Sequence, residues 1–139
     1  MHEPRPLRLV FWETTQQCNL RCLHCRGGER SGGDLTGPQV DVLLGELAAM
    51  GRPIVIFSGG EPLLRPDWPE AARRAGDLGL PTALATNGTL IDAPTAARIA
   101  QAGFRRVAVS LDGADAATHD AFRGLPGSFS LALSGCGRV

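Results

Sequence analysis

Hydrophobic and polar residues follow one another along this chain in short blocks that can be read one at a time. The run from Leu7 to Thr14 is apolar and β-prone, then turns polar at Gln16 and Gln17, which predicts a buried strand. Thr15 to Gly37 shows no period of either kind. It holds three cysteines and five glycines, and an irregular connection of that length inside a compact domain is usually functional. Thr36 and Gln39 form a capping-box pattern, and Val40, Leu43, Leu44, Leu47 and Ala48 repeat at helical spacing until Gly51 stops the helix. Ile54 to Phe57, between Pro53 and Gly59, is too short for a helix and rich in branched residues, as a buried parallel strand is. Asp67 and Glu70 open a second helix that ends near Gly79. Thr82 to Thr86 read as a third strand running into Asn87-Gly88. Asp92 caps a third helix through Ala96, Ile99 and Ala100 to Gly103, Arg106 to Leu111 make a fourth strand, and another helix begins near Ser128.

Strands alternating with helices imply a parallel sheet with right-handed crossovers, as a TIM-like barrel or a doubly wound sheet, and periodicity does not choose between the two. The placement of the unusual residues narrows the choice. The cysteine stretch, Ser58-Gly59-Gly60-Glu61-Pro62, Asn87-Gly88 and Ser110-Leu111-Asp112-Gly113 each follow the C-terminal end of a strand, so they share one rim, where barrel enzymes carry their active sites.

At 139 residues and 43% hydrophobic the chain holds one domain. Its formal net charge is zero and its charges are scattered, so a nucleic-acid partner is not expected. No stretch is apolar and long enough for a membrane span, and Met1 to Arg8 is too polar for a signal peptide; the expectation is a cytoplasmic protein. In a reducing compartment, clustered cysteines read as metal ligands rather than disulfides.

Cys18, Cys22 and Cys25 stand in the pattern C-x-x-x-C-x-x-C, which lets one flexible loop wrap three thiolates around a single centre. Thiolates suit iron-sulfur clusters, and three ligands on a four-iron cube leave one iron open to a substrate or cofactor. Structural zinc usually takes four ligands in two knuckles, and the second pair is missing here unless Cys136 and a histidine contribute. A redox pair of Cys22 and Cys25 leaves Cys18 unexplained, and covalent haem attachment requires a histidine where Arg26 stands. Cys136 alone reads as inert packing.

The motif resembles the signature of the radical S-adenosylmethionine (radical SAM) superfamily, C-x-x-x-C-x-aromatic-C, with His24 in the aromatic position. Ser58 to Pro62 is similar to that family's Gly-Gly-Glu motif and Thr86-Asn87-Gly88 to its strand-three turn. Ser110 to Gly113 with His119-Asp120 and Phe122-Arg123-Gly124 resembles its strand-four segment. The likeness runs from about Val10 to Phe129 and is strongest to the members that modify peptides or build tetrapyrrole or quinone-type cofactors.

The resemblance implies an α/β fold, a parallel (β/α) partial TIM barrel of which residues 1–139 supply the N-terminal part, truncated after about four βα units. It implies a 4Fe-4S cluster on Cys18, Cys22 and Cys25, and S-adenosylmethionine held at its ammonium by Gly59, Gly60 and Glu61 and at its carboxylate by Ser110 and Arg123. Asp112 would accept from ribose hydroxyls, Asn87 would line the same site and His24 would pack near the adenine. The expected reaction is reductive cleavage to a 5′-deoxyadenosyl radical that abstracts hydrogen, with an external electron donor and a peptide or small-molecule substrate. The apolar edge of the fourth strand is expected to favour self-association. A zinc-stabilised binding module and a catalytically inactive fragment are the alternatives, and Gly59-Gly60, Asn87-Gly88 and Asp112-Gly113 also have ordinary readings as turns.

Overall fold

The computed structural model describes residues 5–26 and 32–139. Two glycines of the cysteine loop, Gly27 and Gly28, and the first half of the polar Met1 to Arg8 segment lie outside the described residues. Strands β1 (Leu9–Thr15), β2 (Ile54–Gly59), β3 (Thr82–Thr86) and β4 (Arg106–Val109) form one parallel sheet in the order β1-β2-β3-β4. Helices α1 (Gly37–Ala49), α2 (Trp68–Asp77) and α3 (Ala93–Ala102) make the crossovers, and α4 (Ala116–Arg123) and α5 (Ser128–Cys136) follow β4.

Register decides which side of the sheet each residue serves. Trp12, Phe57, Leu84 and Val107 are paired across the four strands and face the helices. There they meet Leu44 of α1, Trp68 and Ala75 of α2 and Ile99 of α3 in one core. Phe104 is edge-on to Phe57 at 5.2 Å and stacks toward Trp68 at 6.0 Å. The neighbouring register, Phe11-Ile56-Ala83-Arg106, lies on the opposite face, where Leu9, Phe11 and Ile54 are exposed. A doubly wound sheet reverses its strand order and covers both faces. Here the order is strictly sequential and α1 to α3 feed one core, so the sheet is a wall of a barrel. Among the described residues no helix is long and apolar enough to cross a membrane.

Local chemistry explains the boundaries. Thr36 and Gln39 close the expected capping box, and Pro38 suits the first turn of α1. Asp92 caps α3 through Thr95 N, and Gly103 ends it at φ +78°. β1 starts and ends later than the sequence predicts, at Leu9 and Thr15. β4 stops at Val109 rather than Leu111, although Ser110 N still donates to Thr86 O at 3.0 Å. The 3-10 turn Pro62–Leu64 and helix α4 are additions to the predicted elements.

Candidate functional site

The four strand ends meet as expected, and backbone hydrogen bonds lock the cysteine loop between them. Gly60 N donates to Thr15 O at 2.9 Å and Glu61 N to Gln17 O at 2.7 Å, so the glycine turn after β2 grips the start of the loop. Gly59 sits at φ +125°, and a Cβ there would lie 2.6 Å from Thr15 O; only glycine permits this approach. On the far side, Arg21 N donates to Arg123 O at 3.2 Å and Leu23 N to Phe122 O at 2.9 Å, so the loop also satisfies carbonyls at the end of α4.

Cys18, Cys22 and Cys25 form no disulfide and line one cavity of about 610 Å3 together with Gly59 and Gly60. An adjoining cavity of about 230 Å3 adds His24, Ser58, Asn87, Ser110 and Arg123. Burial pushes the Cys18 thiol up, with the nearby Glu61, Cys22 and Cys25 adding to it and the Leu20 N–H opposing it. A cation or cluster at this place would supply the positive charge that favours the thiolate. Among the described residues no three His, Cys, Asp or Glu side chains are arranged to hold a single metal ion. The donor set and the shared cavity suit the cluster in chemistry.

Glu61 is fully buried. Its Oε1 accepts from Thr86 Oγ1 at 2.8 Å and Leu63 N at 3.1 Å, and its Oε2 from Asn87 N at 2.8 Å. Burial raises its pKa above the ordinary carboxylate range, against the pull of these hydrogen bonds and of Arg123. It ties the tip of β2 to the tip of β3 and is absent from the lining of both cavities, which the Gly59 and Gly60 backbone reaches instead. Asn87 accepts from Thr89 N and Thr89 Oγ1 and donates to Asn19 Oδ1 at 2.9 Å, pinning the cysteine loop to β3.

Arg123 is nearly buried. Its guanidinium pairs with the Asp112 carboxylate, one nitrogen lies 3.7 Å from Cys22 Sγ, and its Nε has no partner. Asp112 is thus engaged with Arg123, and its N–H donates to Nδ1 of the buried His119 at 3.1 Å. The His24 ring stacks on Phe122 with centroids 4.6 Å apart. Sequence reasoning missed Asn19, a small amide between Cys18 and Leu20. It also missed Arg65, whose only signal is an arginine directly after the apolar Pro62-Leu63-Leu64.

The family model for the radical SAM superfamily matches residues 12–138. The chain belongs to the radical SAM superfamily. Over 131 residues it is 50% identical to the AdoMet-dependent heme synthase of Methanosarcina barkeri (strain Fusaro / DSM 804), covering 92% of this chain and 38% of that protein. It is 40% identical over 126 residues to the mycofactocin maturase MftC of Mycobacterium ulcerans (strain Agy99), covering 89% of this chain and 32% of that one. Among solved structures, native anSMEcpe with bound AdoMet and Cp18Cys peptide superposes with a TM-score of 0.75 at 26% identity, over 96% of this chain and 40% of the other. This radical SAM chain therefore spans well under half the length of these three proteins.

Proposed function

We propose that this chain carries the cluster and S-adenosylmethionine site of a radical SAM enzyme that acts on a tetrapyrrole in cofactor biosynthesis. One observation carries the reading: three cysteines of a single loop share a cavity with the bare Gly59-Gly60 backbone, and the next cavity holds an arginine with an unsatisfied nitrogen. Cys18, Cys22 and Cys25 would hold a 4Fe-4S cluster. When bound, the cluster and S-adenosylmethionine supply a one-electron reductive cleavage that releases methionine and a 5′-deoxyadenosyl radical able to abstract hydrogen. The electron comes from a separate donor.

The chain's own residues position and shield. Backbone carbonyls at Gly59 and Gly60 accept from the ligand ammonium. Ser110 Oγ and the Arg123 fork meet its carboxylate, which suits a guanidinium with a nitrogen to spare. The Asp112 carboxylate holds that fork in place and its remaining lone pairs serve the ribose hydroxyls. Asn87 keeps the loop against β3, and His24, stacked on Phe122, presents an aromatic surface to the adenine.

The tetrapyrrole assignment rests on the 50% identity to the heme synthase. Peptide modification is the second reading, supported by the likeness to the maturase and to the peptide-bound anSMEcpe. The first test is anaerobic reconstitution with iron and sulfide, followed by electron paramagnetic resonance of the reduced chain with and without S-adenosylmethionine. A four-iron signal that shifts on addition is expected. Bound zinc with no response to S-adenosylmethionine would replace this reading with the zinc-stabilised module, and neither metal nor ligand with an inactive fragment.

A further inference from the structure

Arg65 follows the 3-10 turn that ends the glycine-glycine-glutamate segment, and it is 4% exposed. One terminal nitrogen donates to Thr14 O at 3.0 Å and the other to Leu35 O at 2.8 Å. Thr14 lies just before the cysteine loop begins, and Leu35 just before it ends at the Thr36 cap of α1. One guanidinium therefore spans the neck of the loop. Asp67 fixes the fork from outside: its Oδ2 accepts from the second nitrogen at 2.9 Å, and its Oδ1 faces Nε at 2.7 Å as an ion pair. The guanidinium carbon stands 5.4 Å from the centroid of the Trp12 ring, which adds a cation-π contact. Inside the neck, Gln16 N donates to Asp34 Oδ1 at 3.0 Å and Gln16 Nε2 to Gly32 O at 2.8 Å, a second and exposed rung.

We infer that Arg65 is a positioning residue for the cluster site, a buried clamp that closes the neck of the cysteine loop and ties it to the glycine turn. Closing a loop ahead of ligand binding removes part of the ordering entropy that three thiols on a free segment would otherwise lose when they gather on one body. Arginine is the side chain for this task. Its two terminal nitrogens reach two carbonyls at once while a carboxylate holds the fork, and the ammonium of lysine is a single point. The cluster part of this inference rests on the reading given under Proposed function; the clamp itself does not.

The test uses the 139-residue chain without metal and then after reconstitution, in the parent, Arg65→Lys and Arg65→Met. Hydrogen exchange on the metal-free chain reads the clamp directly. In Arg65→Lys the amides of residues 16–25 should exchange about tenfold faster or more, while those of β2 and β3 keep their rates. A side chain needed only to bury charge against Trp12 and Asp67 would be rescued by lysine, so unchanged loop exchange in Arg65→Lys overturns the clamp. Acceleration spread evenly over sheet and loop overturns it as well, since it would mark a general stabiliser. If Arg65→Met fails to fold, Arg65→Lys alone decides. After anaerobic reconstitution, Arg65→Lys should bind several-fold less iron and sulfide than the parent at equal folded content, judged by far-ultraviolet dichroism. Full occupancy overturns the positioning role. A parent chain that takes up no cluster refutes the cluster reading, and the exchange result still stands by itself.

Discussion

At the scale of single residues, the site depends on positions where one atom more or one charge less is felt. Gly59 holds φ +125° with Thr15 O where a Cβ would lie at 2.6 Å, so Gly59→Ala combines strain with a backbone clash. The expected loss is about 1–3 kcal/mol, read from urea denaturation; parent-like stability would show that the turn relaxes at no cost. Arg123 differs in kind. It is held by Asp112 and near Cys22, yet keeps one nitrogen unpaired. Replacing it by glutamine removes a charge-assisted contact to the ligand carboxylate. S-adenosylmethionine affinity should fall roughly ten- to a hundredfold while iron content stays at the parent level. Equilibrium dialysis of the reconstituted chain measures both. Unaltered affinity would leave Arg123 as a structural partner of Asp112 alone.

At the scale of elements, three helix starts depend on aspartates whose titration has a definite sign. Asp120 accepts from Phe129 N, Gly127 N and Ser128 Oγ at the start of α5, and those hydrogen bonds, the one from Phe129 first, hold its carboxyl below the ordinary range. Asp92 and Asp115 are lowered by their hydrogen bonds from Thr95 and Thr118. A carboxylate depressed by folding contributes stability that is complete above its unfolded pKa, near pH 4, and is lost as pH falls through the lower folded value. Glu61 acts the other way. Burial raises it, so its contribution is intact below the ordinary carboxylate range and lost as pH rises through the raised value. The two effects separate on the pH axis. Asp120→Asn should flatten the acid limb of the melting temperature below about pH 4 and leave the slope above it unchanged. An acid limb identical to the parent's would remove Asp120 from the account.

What the sequence shows of these elements follows from which side chains they bury. β2 is legible as a short run rich in branched residues, β3 as the stretch that runs into Asn87-Gly88, and α1 and α3 from their caps and apolar spacing. α4 is not, because the residues it buries are His119 and Arg123, polar types one helical turn apart to which apolar periodicity is blind. The three cysteines are legible because their chemistry depends on spacing within one loop. The Asp112–Arg123 pair and the clamp at Arg65 exist only after folding brings separate elements together, and an arginine between Leu64 and Pro66 gives no sign of its burial against Trp12.

At the scale of the whole molecule, the sheet has one face covered by helices and one that is open among the described residues. Phe11 is 64% exposed, Leu9 43% and Ile54 42%, in adjacent strands and on the same side. The sequence places the self-association hazard on the edge of the last strand. The structure adds this apolar face, which edge pairing would not cover. Covering the exposed part of one phenylalanine removes roughly 130 Å2 from water, worth about 3 kcal/mol at the usual apolar coefficient. Two copies meeting face to face gain that twice, enough at micromolar concentration to offset a good part of the cost of association. The 139-residue chain should therefore sediment with a concentration-dependent mass above the monomer, and Phe11→Ser should shift it toward the monomer; at concentrations where both are monomeric their melting temperatures should agree, since Phe11 lies outside the core. If Phe11→Ser self-associates as the parent does, the contact runs through the β4 edge instead.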